Sequence, residues 1–415
     1  MKKYAKSNIP DLKPVTRVEL SGEKKRWRVI AVILLLALGA ALLATAAVNL
    51  LGRNDGYMEI EAKDSLFSSF FTFNYDVGAS GASASAEYKT VQAVYTEALD
   101  KYCCLFSADS LYAGVSNIAY INAHPGESIK VDPVLYSALL KMENEGEGRH
   151  YLGLSLEIYD ALFTSDGDSY AEAQDPTKNE EMRSINLRAC EYSRDRSYVR
   201  LELLGDNTLR LEVSAEYAEF ASTYGLSRYI DLGVFENAFI IDAIAEELIN
   251  RQMTLGALNS YDGYTRNLDT RDLDYTFSHY AKNGDVLYPV CDVKYKGSIA
   301  TYAARTYPIS STDACDFYLY ASGESAHRFI DSVTGEYRSS HSELLLASSS
   351  KDCSSLALMA YSLLVSDSPD EIDTSDVSLV WLDGNNVYLA GDNISLSSAY
   401  KDEKNEFIIK NANKD

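Results

Sequence analysis

Twenty consecutive positions near the start of the chain, Val29 to Val48, are apolar apart from Thr45 and one glycine. At about 1.5 Å per residue such a run crosses roughly 30 Å of hydrocarbon, which predicts one transmembrane helix. Beyond it the pattern becomes amphipathic. Tyr88, Val91, Val94, Tyr95, Ala98, Leu99 and Tyr102 recur at helical spacing. Asp132-Pro133 supplies an N-cap followed by proline at the first helical position, opening a second helix through Leu135, Leu139 and Leu140. SYVRLELL and TLRLEVS alternate Val199, Leu201 and Leu203 with Leu209, Leu211 and Val213 about Gly205-Asp206-Asn207, the pattern of a β-hairpin. Asn237 to Asn250 and Asp352 to Val365 read as apolar helices, and VSLVWLD with NVYLAG around Gly384-Asn385 as a closing hairpin. Strands and helices interleave without a regular βα period, so the fold class expected is α+β.

Charge orients the first element. Nine Lys/Arg precede Val29, whereas the nearest basic residue after the run is Arg53, which places the N-terminus in the cytoplasm and the bulk outside. A cleavable signal peptide is the competing reading, since Ala44-Thr45-Ala46 has small-residue character. The apolar run is longer than such a peptide needs and its leader is long, which favours an anchor. The expected organisation is a cytoplasmic basic tail (1–28), an anchor (29–51), a juxtamembrane segment with a first strand (52–84) and a folded external domain (85–415) in the cell membrane. Ten basic and three acidic residues lie before position 54, leaving 28 basic against 58 acidic, a formal charge of −30 outside. That balance excludes nucleic acid as a partner, because phosphate binding needs a clustered basic surface, and argues against docking on anionic lipid. Six cysteines are thinly spread, no CxxC spacing occurs and only five histidines exist, so neither a disulfide framework nor structural zinc is indicated.

Four segments, in order, resemble the ApbE-like flavin transferases, the FAD:protein FMN transferase family. LDKYCCLFSADSLYAGVSNIAYINAHPGESIKVDPVLYSALLK has that family's helix, Ser-rich loop, hydrophobic-Asn pair, Pro-Gly-Glu turn and next helix; IDLGVFENAFIIDAIAEEL matches its Asp-Leu-Gly motif and helix. ALNSYDGYTRNL stands where the family has a strand and Gly-Gly-Asp turn, and HRFIDSVTGEY matches its His-x-x-(Ile/Leu)-Asp-x-x-Thr-Gly motif. The resemblance implies a single ApbE-like, T-fold-related domain and Mg²⁺-dependent transfer of FMN from FAD to a Ser or Thr hydroxyl of a target flavoprotein, with release of AMP. It also implies catalytic roles for His327, Asn122 and Asp331, and flavin-binding roles for Asp231, Gly233, Asn237, Thr334 and Gly335. The partner it implies is a target flavoprotein or a membrane redox complex.

The same alignment carries substitutions. The family's lysine after Asp-Leu-Gly falls on Asn237, the acid of its Gly-Gly-Asp turn on Tyr264, its Ser-Gly pair on Asp313-Ala314, and its magnesium-binding Asp and Thr on Ser354 and Leu358. Each change at the reaction site removes a charge or a ligand, so magnesium keeps few of its carboxylates there. The expectation is FAD as substrate or ligand, with transfer weakened or lost. The alternatives are a noncatalytic flavin-binding or scaffold protein at the membrane, and an FAD pyrophosphatase. Two acidic stretches, Ser165 to Asp175 and the one holding Asp269, Asp272 and Asp274, read as a solvated loop and an acidic surface turn and not as cation sites.

Overall fold

In a computed structural model of the chain the described residues are 56–81, 83–283, 286–309, 316–366, 372–401 and 406–412. The span Val29–Val48, Asp313-Ala314 and Cys315 lie outside them. Among the described residues no helix is long and apolar enough to cross a membrane. Asp55–Asp415 forms one compact unit.

In chain order its strands and helices are β1 (Gly56–Glu59), β2 (Phe71–Val77), α1 (Ala84–Phe106), α2 (Ile118–Ala123), β3 (Ser128–Lys130), α3 (Pro133–Glu145), α4 (Gly153–Phe163), α5 (Asp168–Gln174), α6 (Glu180–Arg194), β4 (Val199–Gly205), β5 (Thr208–Val213), α7 (Ala215–Tyr224) and α8 (Glu236–Asn250). There follow β6 (Gly256–Ser260), β7 (Tyr264–Asn267), β8 (Asp274–Asn283), β9 (Val286–Lys296), β10 (Ile299–Arg305), β11 (Phe317–Leu319), β12 (Ser325–His327), β13 (Glu343–Ser348), α9 (Cys353–Val365), β14 (Ser378–Asp383), β15 (Asn386–Ala390), β16 (Ser395–Ser397) and β17 (Ile408–Asn411).

Nine strands make the main sheet in the order β1-β2-β6-β7-β10-β13-β14-β15-β17. It is antiparallel except for the β15–β17 pair. Its centre is covered on both faces, and the two-residue period of a strand divides the side chains between them. On β13 every position is buried: Leu344 and Leu346 join the large core beneath α1, α8 and α9, while Leu345 and Ala347 join a second core with Val290, Val293, Val380 and Val387. That second core is the space between the main sheet and the three-stranded sheet β16-β9-β8. A third cluster, with Leu156, Tyr159, Phe163 and Ile330, packs α4 and α5 beside the β11–β12 hairpin. The α+β expectation therefore holds.

The local signals read from the sequence produce the expected elements. Asp132 caps α3, its side chain accepting from the Val134 N–H at 2.8 Å, and Asp352 caps α9 through the Ser355 N–H at 2.8 Å. Asp206 and Asn207 both take positive φ, 48° and 55°, as a two-residue type I′ turn demands. The two acidic stretches follow expectation in part: most of Ser165–Asp175 is exposed, as are Asp272 and Asp274. Within Ser165–Asp175 the chain forms α5, whose first residue Asp168 accepts from the Tyr318 hydroxyl and the Ala321 N–H, both at 3.0 Å, on a hairpin distant in sequence. Asp175 is buried and accepts from Tyr320 at 2.6 Å. In the second stretch Asp269 is the buried member; Arg271 chelates it and the hydroxyls of Tyr57 and Tyr275 donate to it at 3.0 and 2.6 Å.

Candidate flavin cleft

The first turn of α8, the β6–β7 turn, the end of β10, the β11–β12 hairpin, the C-terminal end of α1 and the segment before β2 enclose a cavity of about 290 Å³. Phe67, Phe70, Tyr261 and Phe317 give it aromatic walls. The rings of Phe70 and Tyr261 lie with centroids 5.5 Å apart. Its polar lining mixes five carboxyl groups, Asp109, Asp231, Glu236, Asp262 and Asp316, with three guanidinium groups, Arg228, Arg305 and Arg328.

The loop Arg228–Gly233 is shaped before it meets any ligand. Asn122, buried at the end of α2, donates to the Ile230 carbonyl at 2.8 Å and accepts from the Ile230 N–H at 2.9 Å. Asp231 accepts from the Gly233 N–H at 2.8 Å and from Arg228 Nη1 at 2.9 Å. Gly233 has φ +53°, a left-handed conformation that favours glycine, and a Cβ there would press on the terminal methyl of Leu156 at 2.9 Å. Burial raises the pKa of Asp231, against the pull of Arg228.

One carboxylate ties the arginines together. Asp160 on α4 receives Arg228 through Nη2 and Arg328 Nη2 at 2.6 Å, while Arg328 Nε lies 2.8 Å from Asp316 and Arg228 Nη1 lies 2.9 Å from Asp109. The result is an alternating chain, Asp109-Arg228-Asp160-Arg328-Asp316, along one side of the cavity. Tyr261 extends it by donating to Asp316 at 2.8 Å. Arg228 is paired with Asp109, Asp160 and Asp231 and Arg328 with Asp160 and Asp316, so charge pairing fixes both guanidinium groups in place.

Facing them, Asn237 Nδ2 donates to Asp262 at 3.0 Å and Ser260 donates to the other carboxylate oxygen. Burial pushes the Asp262 pKa up to about 7, with Asp316 adding to the shift, and burial also pushes Glu236 well above the usual range. This wall therefore presents carboxyl groups that hold protons near neutral pH.

The residues expected at the site divide into three sets. Asp231, Gly233 and Asn237 line the cavity, and Asn122 sits behind it, clamping the loop. His327 does not line it: alternation along β12 puts Arg328 on the cavity side and His327 in the interior, its ring 5.3 Å from Tyr337 and its pKa pushed down to about 3 by burial. Asp331, Thr334 and Gly335 form the tight turn after it, with Asp331 accepting from the Val333 N–H at 2.7 Å and from Arg338 at 3.0 Å, and Thr334 exposed. Tyr264 is buried, stacked on Tyr302 with ring centroids 3.9 Å apart, and donates to the Val234 carbonyl. The turn keeps an acid at Asp262, two residues earlier. Missing from the sequence reading are Asp262, Arg228, Arg328 and Asp160. Arg228 and Arg328 stand inside or beside recognised motifs, whereas nothing local marks Asp160.

Magnesium does not fit the residues at its implied positions. Leu358 is buried in the main core, and the Ser354 hydroxyl is engaged by Lys141 Nζ at 2.8 Å. Among the described residues no three His, Cys, Asp or Glu side chains converge as a ligand set.

No family model and no curated protein matches the sequence. Solved structures do match by shape. An ApbE protein from Thermotoga maritima superposes with a TM-score of 0.52 at 16% identity, over 82% of this chain and 97% of that one. The flavin transferase ApbE from Vibrio cholerae does so with a TM-score of 0.50 at 12% identity, over 83% and 97%. At such identities the likeness speaks for architecture alone, and in architecture the chain is an ApbE-like protein.

Proposed function

We propose that the chain is a membrane-tethered flavin-nucleotide-binding protein of ApbE-like fold in which magnesium-dependent FMN transfer has been lost. The cavity carries the reading: it joins aromatic walls at Phe70, Tyr261 and Phe317 to the guanidinium groups of Arg228 and Arg328, and the matched Asp-Leu-Gly loop borders it. A flavin needs an aromatic slot, and its phosphates need fixed donors. Transfer needs in addition a cation on the pyrophosphate. Leu358 and the lysine-bound Ser354 supply no ligand for one. The apolar run Val29–Val48 and its basic leader support a single-pass anchor with the folded part outside the cytoplasm. A target flavoprotein or membrane redox complex is the partner such a protein would serve.

The test is a fluorescence titration of the full chain in detergent with FAD and FMN, with and without Mg²⁺, alongside an AMP-release assay with an acceptor peptide. The expected result is flavin binding unchanged by Mg²⁺ and no AMP release. AMP release matching that of an active family member would overturn it.

A further inference from the structure

One carboxylate and two hydroxyls gather around a cation at the first turn of α9, and a second carboxylate caps the same turn. Lys141 reaches across from α3 and its Nζ donates to Asp352 Oδ1, Ser354 Oγ and Ser355 Oγ, each at 2.8 Å. An ammonium group has three protons. All three are used. On the other side Asp242 of α8, one and a half turns past Asn237, accepts the N–H groups of Cys353 at 3.0 Å and Ser354 at 2.8 Å.

We infer that the Lys141 ammonium is a built-in monovalent cation that fills this site permanently, so that the protein works without a divalent ion there. The inference deepens the proposed function, since it rests on reading Ser354 and Leu358 as the positions of a cation site.

The charges at the site call for a cation. Asp352 pairs with the Lys141 ammonium at 2.8 Å, and Asp242 pairs with the N–H groups at the positive end of α9. Geometry then decides against a metal. The oxygens stand at ammonium distance, 2.8 Å, whereas magnesium draws its ligands to about 2.0–2.1 Å. Two of the three are neutral hydroxyls. A divalent ion would have to expel Lys141, break three hydrogen bonds and draw the oxygens inward.

Two measurements on the full chain in detergent, with no flavin present, test this separately from flavin binding. In the first, amine-reactive labelling read by peptide mass spectrometry follows Lys141 with and without Mg²⁺ at about 10 mM, far above typical protein affinities. Labelling of Lys141 should be slow and unchanged by Mg²⁺; acceleration by Mg²⁺ of several-fold would mean that the metal displaces the lysine and would overturn the inference. In the second, Mn²⁺ binding is read by electron paramagnetic resonance. Wild type should bind none at Asp352, while Lys141→Met should gain one site that Asp352→Asn removes again. Wild-type binding that Asp352→Asn abolishes, or a folded Lys141→Met that gains nothing, would each refute it. Should Lys141→Met fail to fold, the labelling of wild type still decides.

Discussion

Asn122, behind the cavity, holds Ile230 by both of its backbone polar groups. Replacing it with alanine leaves a buried N–H and C=O without partners, a loss of about 2 kcal/mol. Chemical denaturation of Asn122→Ala should show that loss, and FAD affinity should fall with it because Asp231 is carried on the same loop; unchanged stability would mean the loop is held elsewhere. Asp231, Gly233 and Asn237, named by the motif resemblance, line the cavity and Asn122 sits behind it, each within a short segment whose local geometry is written in its own residues. In the β6–β7 turn the resemblance set the family's acid on Tyr264, which is buried, whereas Asp262 lines the cavity two residues earlier; a turn without a glycine pair leaves the register free by a residue or two. Asp160 was beyond reach of any sequence reading. It matters only because α4 brings it between Arg228 and Arg328, 68 and 168 residues away.

Elements with a clear period and a cap were legible, and α1, α3, α8, α9 and both hairpins lie where patterning put them. The less legible ones owe their form to neighbours. The fully buried β13 shows no alternation in sequence because both of its faces are covered, and α5 is tied at Asp168 to a remote hairpin. The turn after β12 lies between these cases. Its Thr-Gly reads as a turn from sequence, but the structure gives Gly335 a sharper reason: φ is +71°, a Cβ would meet Asn186 Nδ2 at 2.9 Å, and its carbonyl accepts from the Tyr159 hydroxyl at 2.9 Å. Gly335→Ala should therefore cost roughly 1–3 kcal/mol by backbone strain and displacement of Asn186. Because this turn lies outside the cavity lining, flavin affinity of the folded fraction should change little. A variant as stable as wild type in denaturation would show that the turn relaxes freely.

At the scale of the whole molecule, buried ionisable groups of two kinds set the dependence of stability on pH. Burial raises Asp262 and Glu343 to about 7 and Asp242 to about 6, and carries Glu236 well above its usual value. A carboxyl raised on folding binds more protons folded than unfolded, so its contribution to stability falls as pH climbs from about 4 through the raised value. Burial lowers His279 to about 4 and His327 to about 3, and lowers His150 and His341 as well. A histidine lowered on folding acts the other way: the unfolded chain holds the extra proton, so stability rises with pH up to about 6.5 and then levels. Below that value the two sets oppose each other. Above it the histidine gain tapers off, while Asp262, Glu343 and Glu236 continue to titrate. Melting temperature should therefore be higher at pH 6.5 than at pH 8, although the surface charge scarcely changes across that interval. Asp262→Asn should flatten the decline by removing one of its sources while keeping a partner for Ser260 and Asn237. A wild-type melting temperature that holds or rises from pH 6.5 to 8 would mean that the cavity carboxyls ionise without cost, through water or a counter-charge that offsets their burial.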